Sequence, residues 1–175
     1  MTIVLLLLAT AGCSGGTAHS TSTPTYNLPP RPVRDEEKPL PYHPVKDGLI
    51  TFAAIGLRTG MLDIVGSHAD QPPKGQFVRI RVLAVNGYPN FHTIEPSKQT
   101  LITTDGKTYA PDINGMRIER QPDSFQLGAR DQLEFDLLYD IPRQSKVKAL
   151  HLYGAPSSDL GVTLPDDSGV EAPLT

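Results

Sequence analysis

The residues equipped for chemistry are few and widely spaced. The histidines are His19, His43, His68, His92 and His151. No two stand two or four residues apart, the spacing that brings a pair of imidazoles onto one metal ion. Glu134 and Asp136 are a carboxylate pair, but side chains two apart on a strand share one face. Glycoside hydrolysis needs carboxylates that converge from separate elements. The two are therefore expected as solvated charges on the wet side of a sheet. Asp159, Asp166 and Asp167 lack the spacing of a calcium loop. There is no glycine-rich phosphate loop leading into a helix, and no strand-to-helix elbow to present a serine. The expectation is a protein that is not an enzyme, with no catalytic residue, no metal site and no cofactor.

Binding chemistry has better candidates. Arg79 and Arg81 alternate with apolar residues along one predicted strand, so both guanidiniums share a face. With Arg117 and Arg120 they would form a strip suited to a carboxylate or phosphate. The alternative is cross-strand pairing with Glu134 and Asp136. Tyr88-Pro-Asn-Phe91 puts two aromatics in a loop, where binding residues concentrate. The same rings would also serve to cap the core. The candidate binding surface is thus Arg79, Arg81, Tyr88 and Phe91.

The remaining reactive group is the sole cysteine, Cys13. It ends the run Thr2-Ile-Val-Leu-Leu-Leu-Leu-Ala-Thr-Ala-Gly-Cys13 and precedes Ser-Gly-Gly. The apolar stretch is far shorter than the ~20 residues that span a bilayer. Its length and the small residues after it suit the core and cleavage region of a secretory signal. The run resembles a bacterial lipobox. That resemblance implies a thiol that is diacylglycerylated and a chain cut before it. Residues 1–12 would be signal peptide, and the mature protein would sit on the outer face of the cell membrane. A single, lipidated thiol leaves no disulfide, redox or zinc-thiolate chemistry.

Composition narrows the rest. The net charge of −3 gives no electrostatic reason to bind nucleic acid. In 175 residues there are 15 Gly, 17 Pro and no Trp, which suits short strands joined by turns rather than helices. Residues 13–47 hold Pro24, Pro29, Pro30, Pro32, Pro39, Pro41 and Pro44 and few aliphatic side chains. Such a segment cannot bury enough surface to offset its ordering entropy. It is expected to be a disordered, extended tether reaching roughly 100 Å.

A sandwich over residues 48–155 must then position any site. Leu49–Leu57 reads as a strand, and Met61–Val65 continues it or forms a second short one. Gln76–Asn86 alternates Val78, Ile80, Val82 and Ala84 against Arg79 and Arg81, marking a half-buried antiparallel strand. Residues 99–110 read as a hairpin turning at Asp105-Gly106 in a type I′ turn. Gln132–Tyr139 sets Leu133, Phe135, Leu137 and Tyr139 inward, and Val147–Tyr153 is the final strand. Residues 156–175 are acidic and expected to be a loose tail. About seven strands and no convincing helix give an all-β antiparallel sandwich.

Four stretches carry a further resemblance: Gly75-Gln-Phe-Val-Arg-Ile-Arg-Val-Leu-Ala-Val-Asn86, Thr104-Asp-Gly-Lys-Thr-Tyr109, Leu127-Gly-Ala and Phe135-Asp-Leu-Leu-Tyr-Asp-Ile-Pro142. They resemble a family of small immunoglobulin-like domains of bacterial, actinobacterial-type lipoproteins. That family is similar in fold to the mycobacterial immunoprotective extracellular protein. The resemblance spans residues 49–154 and implies an immunoglobulin-like fold and an extracytoplasmic location, with no catalytic residue. The functional expectation is a non-catalytic binding module of the cell envelope. Its partners would be the membrane, through Cys13, and a protein of the envelope. The alternatives are a carrier of a small molecule or metal ion, and a hydrolase.

Overall fold

The structure, a computed structural model, describes residues 33–66, 70–154 and 168–174. Cys13, most of the expected tether, His19, His68, Asp159, Asp166 and Asp167 lie outside the described residues.

The fold is an all-β sandwich of antiparallel sheets. The first sheet is built on three long strands: β3 (Ile50–Met61), β4 (Gln76–Asn86) and β9 (Gln132–Ile141). They lie in the order β3-β4-β9, with Ile80 opposite Leu57 and Leu137. The second sheet runs β11 (Val170–Pro173), β10 (Val147–Leu152), β6 (Thr100–Thr103) and β7 (Thr108–Tyr109). A small third sheet pairs β5 (His92–Ile94) with β8 (Phe125–Leu127).

The core follows from the period of two. Phe52, Ile80, Val82, Phe135, Leu137 and Tyr139 of the first sheet are buried, as are Leu101, Leu150, Leu152 and Ala172 of the second. The Tyr139 hydroxyl donates to Gln99 O across the interior at 3.1 Å. Each such large apolar side chain contributes ~1.5–3 kcal/mol on burial.

The expected domain boundary at 48 is corrected. Residues of the predicted tether form β1 (Lys38–Pro39) and β2 (Val45–Asp47), and both pair with the outer edge of β3. The prolines do not prevent this, because an edge strand needs only one side of its backbone for the ladder. Glu37, Leu40 and Asp47 are buried, and the Asp47 carboxylate accepts from Gly154 N at 2.6 Å.

The expected loose tail is corrected likewise at its far end. Val170–Pro173 pairs with β10, placing Ala172 opposite Leu150. Ala172 and Leu174 are buried, so alternation in this short stretch outweighs its acidic surroundings. The chain therefore carries eleven strands among the described residues rather than about seven.

Two local expectations also change. The 103–107 hairpin has positive φ at Gly106 (79°) and not at Asp105. Gly106 N donates to Thr103 O at 2.9 Å, and the Thr103 hydroxyl bonds the Asp105 carboxylate. That bond favours a right-handed turn followed by a left-handed glycine, not the mirror-image turn. A short helix, α1 (Ile113–Ile118), forms where none was expected. The Asp112 side chain caps it by accepting from Gly115 N at 2.7 Å. Gly115 lets the helix lie against Leu138 and Ile64, since a Cβ there would overlap both side chains.

Candidate functional site

The arginine strip is real as a face but closed as a surface. On the side of the first sheet away from the core, Arg81 stands opposite Asp136, and Arg79 stands between Arg58 and Leu138. The segment before β1 lies over this face. Arg81 Nη2 donates to Glu37 Oε1 at 2.6 Å and Nη1 to Glu134 Oε2 at 3.1 Å. Arg34 pairs with Asp136, and Arg58 with Glu36. The side chains of Arg81 and Glu37 are each 2% exposed.

The cross-strand pairing expected for Arg81 is present with Glu134, but the solvated setting expected for Arg81, Glu134 and Asp136 is corrected. They are not solvated strand-face charges, because a strap of chain covers the sheet. Arg34, Arg58, Arg79 and Arg81 are balanced by Glu36, Glu37, Glu134 and Asp136, so the strip offers no surplus charge. Burial pulls the Arg34 guanidinium down, yet its bond to Asp136 and the charges of Asp136, Glu37 and Glu134 hold it above its ordinary value. Arg79 is half-buried.

The loop after β4 splits its two aromatics. The Asn86 carboxamide donates to Asn90 O, Leu127 O and Gly128 O at 2.8–3.1 Å and accepts from Tyr88 N at 2.8 Å. This folds Tyr88 inward, where it stacks on His92 with ring centroids 5.1 Å apart. Tyr88 is buried and caps the core, which corrects its assignment to a binding surface. His92, expected in a loop, lies buried at the start of β5. Phe91 remains 62% exposed, and Leu49, whose N–H reaches the Tyr88 hydroxyl, is 49% exposed.

The described histidines make separate contacts. His43 is exposed, and a His151 ring nitrogen lies 2.6 Å from Ser168 O. Among the described residues no three His, Cys, Asp or Glu side chains are placed to hold a metal ion. No helix among them is long and apolar enough to cross a membrane.

Two of the surface grooves are lined by described residues. The first, about 470 Å³, lies between Lys74, Asp112, Asp140 and Pro142. Its carboxylates are engaged: Asp140 accepts from Lys74 N and Gly75 N, and Asp112 caps α1. The second, about 580 Å³, is lined by Lys38, Leu57, Gln76, Arg143, Ser145 and Lys146. The Gln76 carboxamide donates to Arg143 O at 2.9 Å and accepts from Gly60 N at 2.9 Å. That brace fixes the turn carrying Arg143 and Lys146. Sequence reasoning passed over this groove, because residues 142–146 read only as a polar turn and Lys38 as tether.

Fold and surface together define a class: an antiparallel β-sandwich whose outer sheet face is closed by its own N-terminal strap. No family model and no curated protein matches the chain. Solved structures are similar to it in fold. The yjhA protein of Bacillus subtilis superposes with a TM-score of 0.57 at 16% identity, over 76% of this chain and 97% of that one. A conserved hypothetical protein of Bacillus anthracis gives a TM-score of 0.49 at 9% identity, over 80% and 98%. MPT63, a secreted protein of Mycobacterium tuberculosis, gives 0.36 at 14% identity, over 67% and 86%.

Proposed function

We propose that the chain is a lipid-anchored, extracytoplasmic binding module of a bacterial cell envelope, without catalytic activity. Acylated Cys13 supplies location, the proline-rich segment supplies reach, and the sandwich supplies a rigid frame. The observation that supports this reading is how the chain enters the sandwich. Residues arriving from the side of Cys13 are paired to β3 twice, through β1 and β2. They are also bound to the sheet face through Glu37 and Arg34. A pull on the tether therefore loads the longest sheet across many bonds at once. The exposed Phe91 and Leu49 at one end offer an apolar contact for an envelope protein.

Detergent-phase partitioning tests the anchor. The protein made in a bacterium should enter the detergent phase, and Cys13→Ser should leave it in the aqueous phase. One acyl chain binds membranes only marginally, so stable retention requires the several chains of a lipoprotein. Identical partitioning of the two proteins would overturn the reading.

A further inference from the structure

We propose that the groove over the 142–146 turn is a second membrane contact, taking the phosphate of an anionic lipid headgroup. The inference rests on the anchored reading above for its setting, but its chemistry stands on the groove itself.

Lys38 comes from β1, and Arg143 and Lys146 come from the turn between β9 and β10. The groove lining contains no Asp or Glu. Among the described residues none of these three cations makes an ion pair, whereas Arg34, Arg58 and Arg81 all do. A positive cluster thus stands on a chain whose net charge is −3. Arg143 Nε donates to Gly75 O at 3.1 Å, and no hydrogen bond or ion pair among the described residues uses its terminal nitrogens. Ser145, Gln144 and Thr59 add neutral polar groups beside them. Phosphate is the ligand such a set of cations and hydroxyls holds best.

Position selects the source of the phosphate. Lys38 lies on the strap, close to where the chain arrives from Cys13. The 20 residues from Cys13 to the start of the strap at Val33 reach about 60 Å when extended, so the groove can rest on the headgroups with slack to spare. An acyl anchor beside a basic patch is the two-signal arrangement that makes membrane attachment stable. Each cation at an anionic surface raises partitioning about fivefold, and three raise it on the order of a hundredfold.

The test uses the full chain carrying Cys13→Ser, so that binding is read without acyl chains. It should sediment with vesicles that are one-third phosphatidylglycerol in phosphatidylcholine. It should not sediment with pure phosphatidylcholine, and added salt should weaken the binding. Combined Lys38→Gln, Arg143→Gln and Lys146→Gln should cut binding on the order of a hundredfold, while Lys46→Gln with Lys98→Gln changes it little. If the triple variant does not fold, Lys38→Gln and Lys146→Gln singly should each cost about fivefold with an unchanged melt. Equal sedimentation with both vesicle types, or binding indifferent to the three charges, would overturn the proposal. Displacement of the protein from vesicles by millimolar inorganic phosphate would assign the groove to a free phosphate instead and overturn the membrane source. Failure of detergent partitioning leaves these readings untouched, so the anchor and the groove fail separately.

Discussion

Gly56 leaves open the space that the Glu37 carboxylate fills. The two meet on the outer face of the first sheet, where a Cβ at position 56 would overlap Glu37 Oε1. Pro39 is paired with Gly56 across the β1–β3 ladder, so the strap crosses β3 where β3 has no side chain. The carboxylate then reaches Arg81 on the next strand.

Gly56→Ala should displace that carboxylate and leave Arg81 with Glu134 alone. Breaking a buried pair typically costs ~3–5 kcal/mol. Retention of Glu134 reduces the expected loss to about 2–4 kcal/mol. Urea unfolding measures it, and a midpoint equal to that of the parent protein would show that the strap does not need the gap.

Glu37 and Arg81 should be strongly coupled. Glu37→Ala alone leaves a buried guanidinium short of a partner, and Arg81→Met alone leaves a buried carboxylate. The double variant should be more stable than the sum of the single losses implies, by about 1–3 kcal/mol. Additive losses in a double-mutant cycle would mean that the pair is not formed in solution.

The two faces of β9 should respond differently. Phe135, buried and 4.9 Å from the Phe125 ring, should cost ~3–5 kcal/mol when cut to Ala, because a cavity remains. Asp136→Ala should cost about 1–2 kcal/mol, since its partner Arg34 is partly in solvent. A Phe135→Ala protein that melts like the parent would refute the register of β9.

Burial pushes the Tyr139 phenol well above its usual 10. The folded state therefore keeps this proton at pH values where the unfolded chain has lost it. Its contribution to stability is complete below about pH 10 and declines as pH rises beyond that. Tyr139→Phe should flatten this alkaline limb and cost about 1 kcal/mol at neutral pH through loss of the bond to Gln99 O. An alkaline limb of equal slope in both proteins would exclude Tyr139 as its source.

The sequence displays whatever obeys a local period. β4 begins and ends where the Gln76–Asn86 alternation does, and Phe135, Leu137 and Tyr139 point inward as alternation requires. What is not local stays hidden. Arg81 and Asp136 read as surface because nothing in their own strand shows that residues 33–40 will cover them. Tyr88 reads as a loop aromatic because its inward turn depends on Asn86 reaching carbonyls some forty residues away at 127 and 128. The strap reads as linker because its prolines and charges are judged alone, without the unpaired edge of β3. Helix α1 is too short to show a period, and only Asp112 as a cap before Ile113 and Met116 hints at it.

That unpaired edge carries a last consequence. β3 is twelve residues long, and its outer side is occupied by β1 and β2. A protein cut to begin at residue 48 would keep the predicted sandwich yet expose this row of backbone donors and acceptors. Such an edge is a template for strand addition by another molecule. Self-association of the shortened form is the expected result, and the strap thereby acts as a guard over the sheet edge.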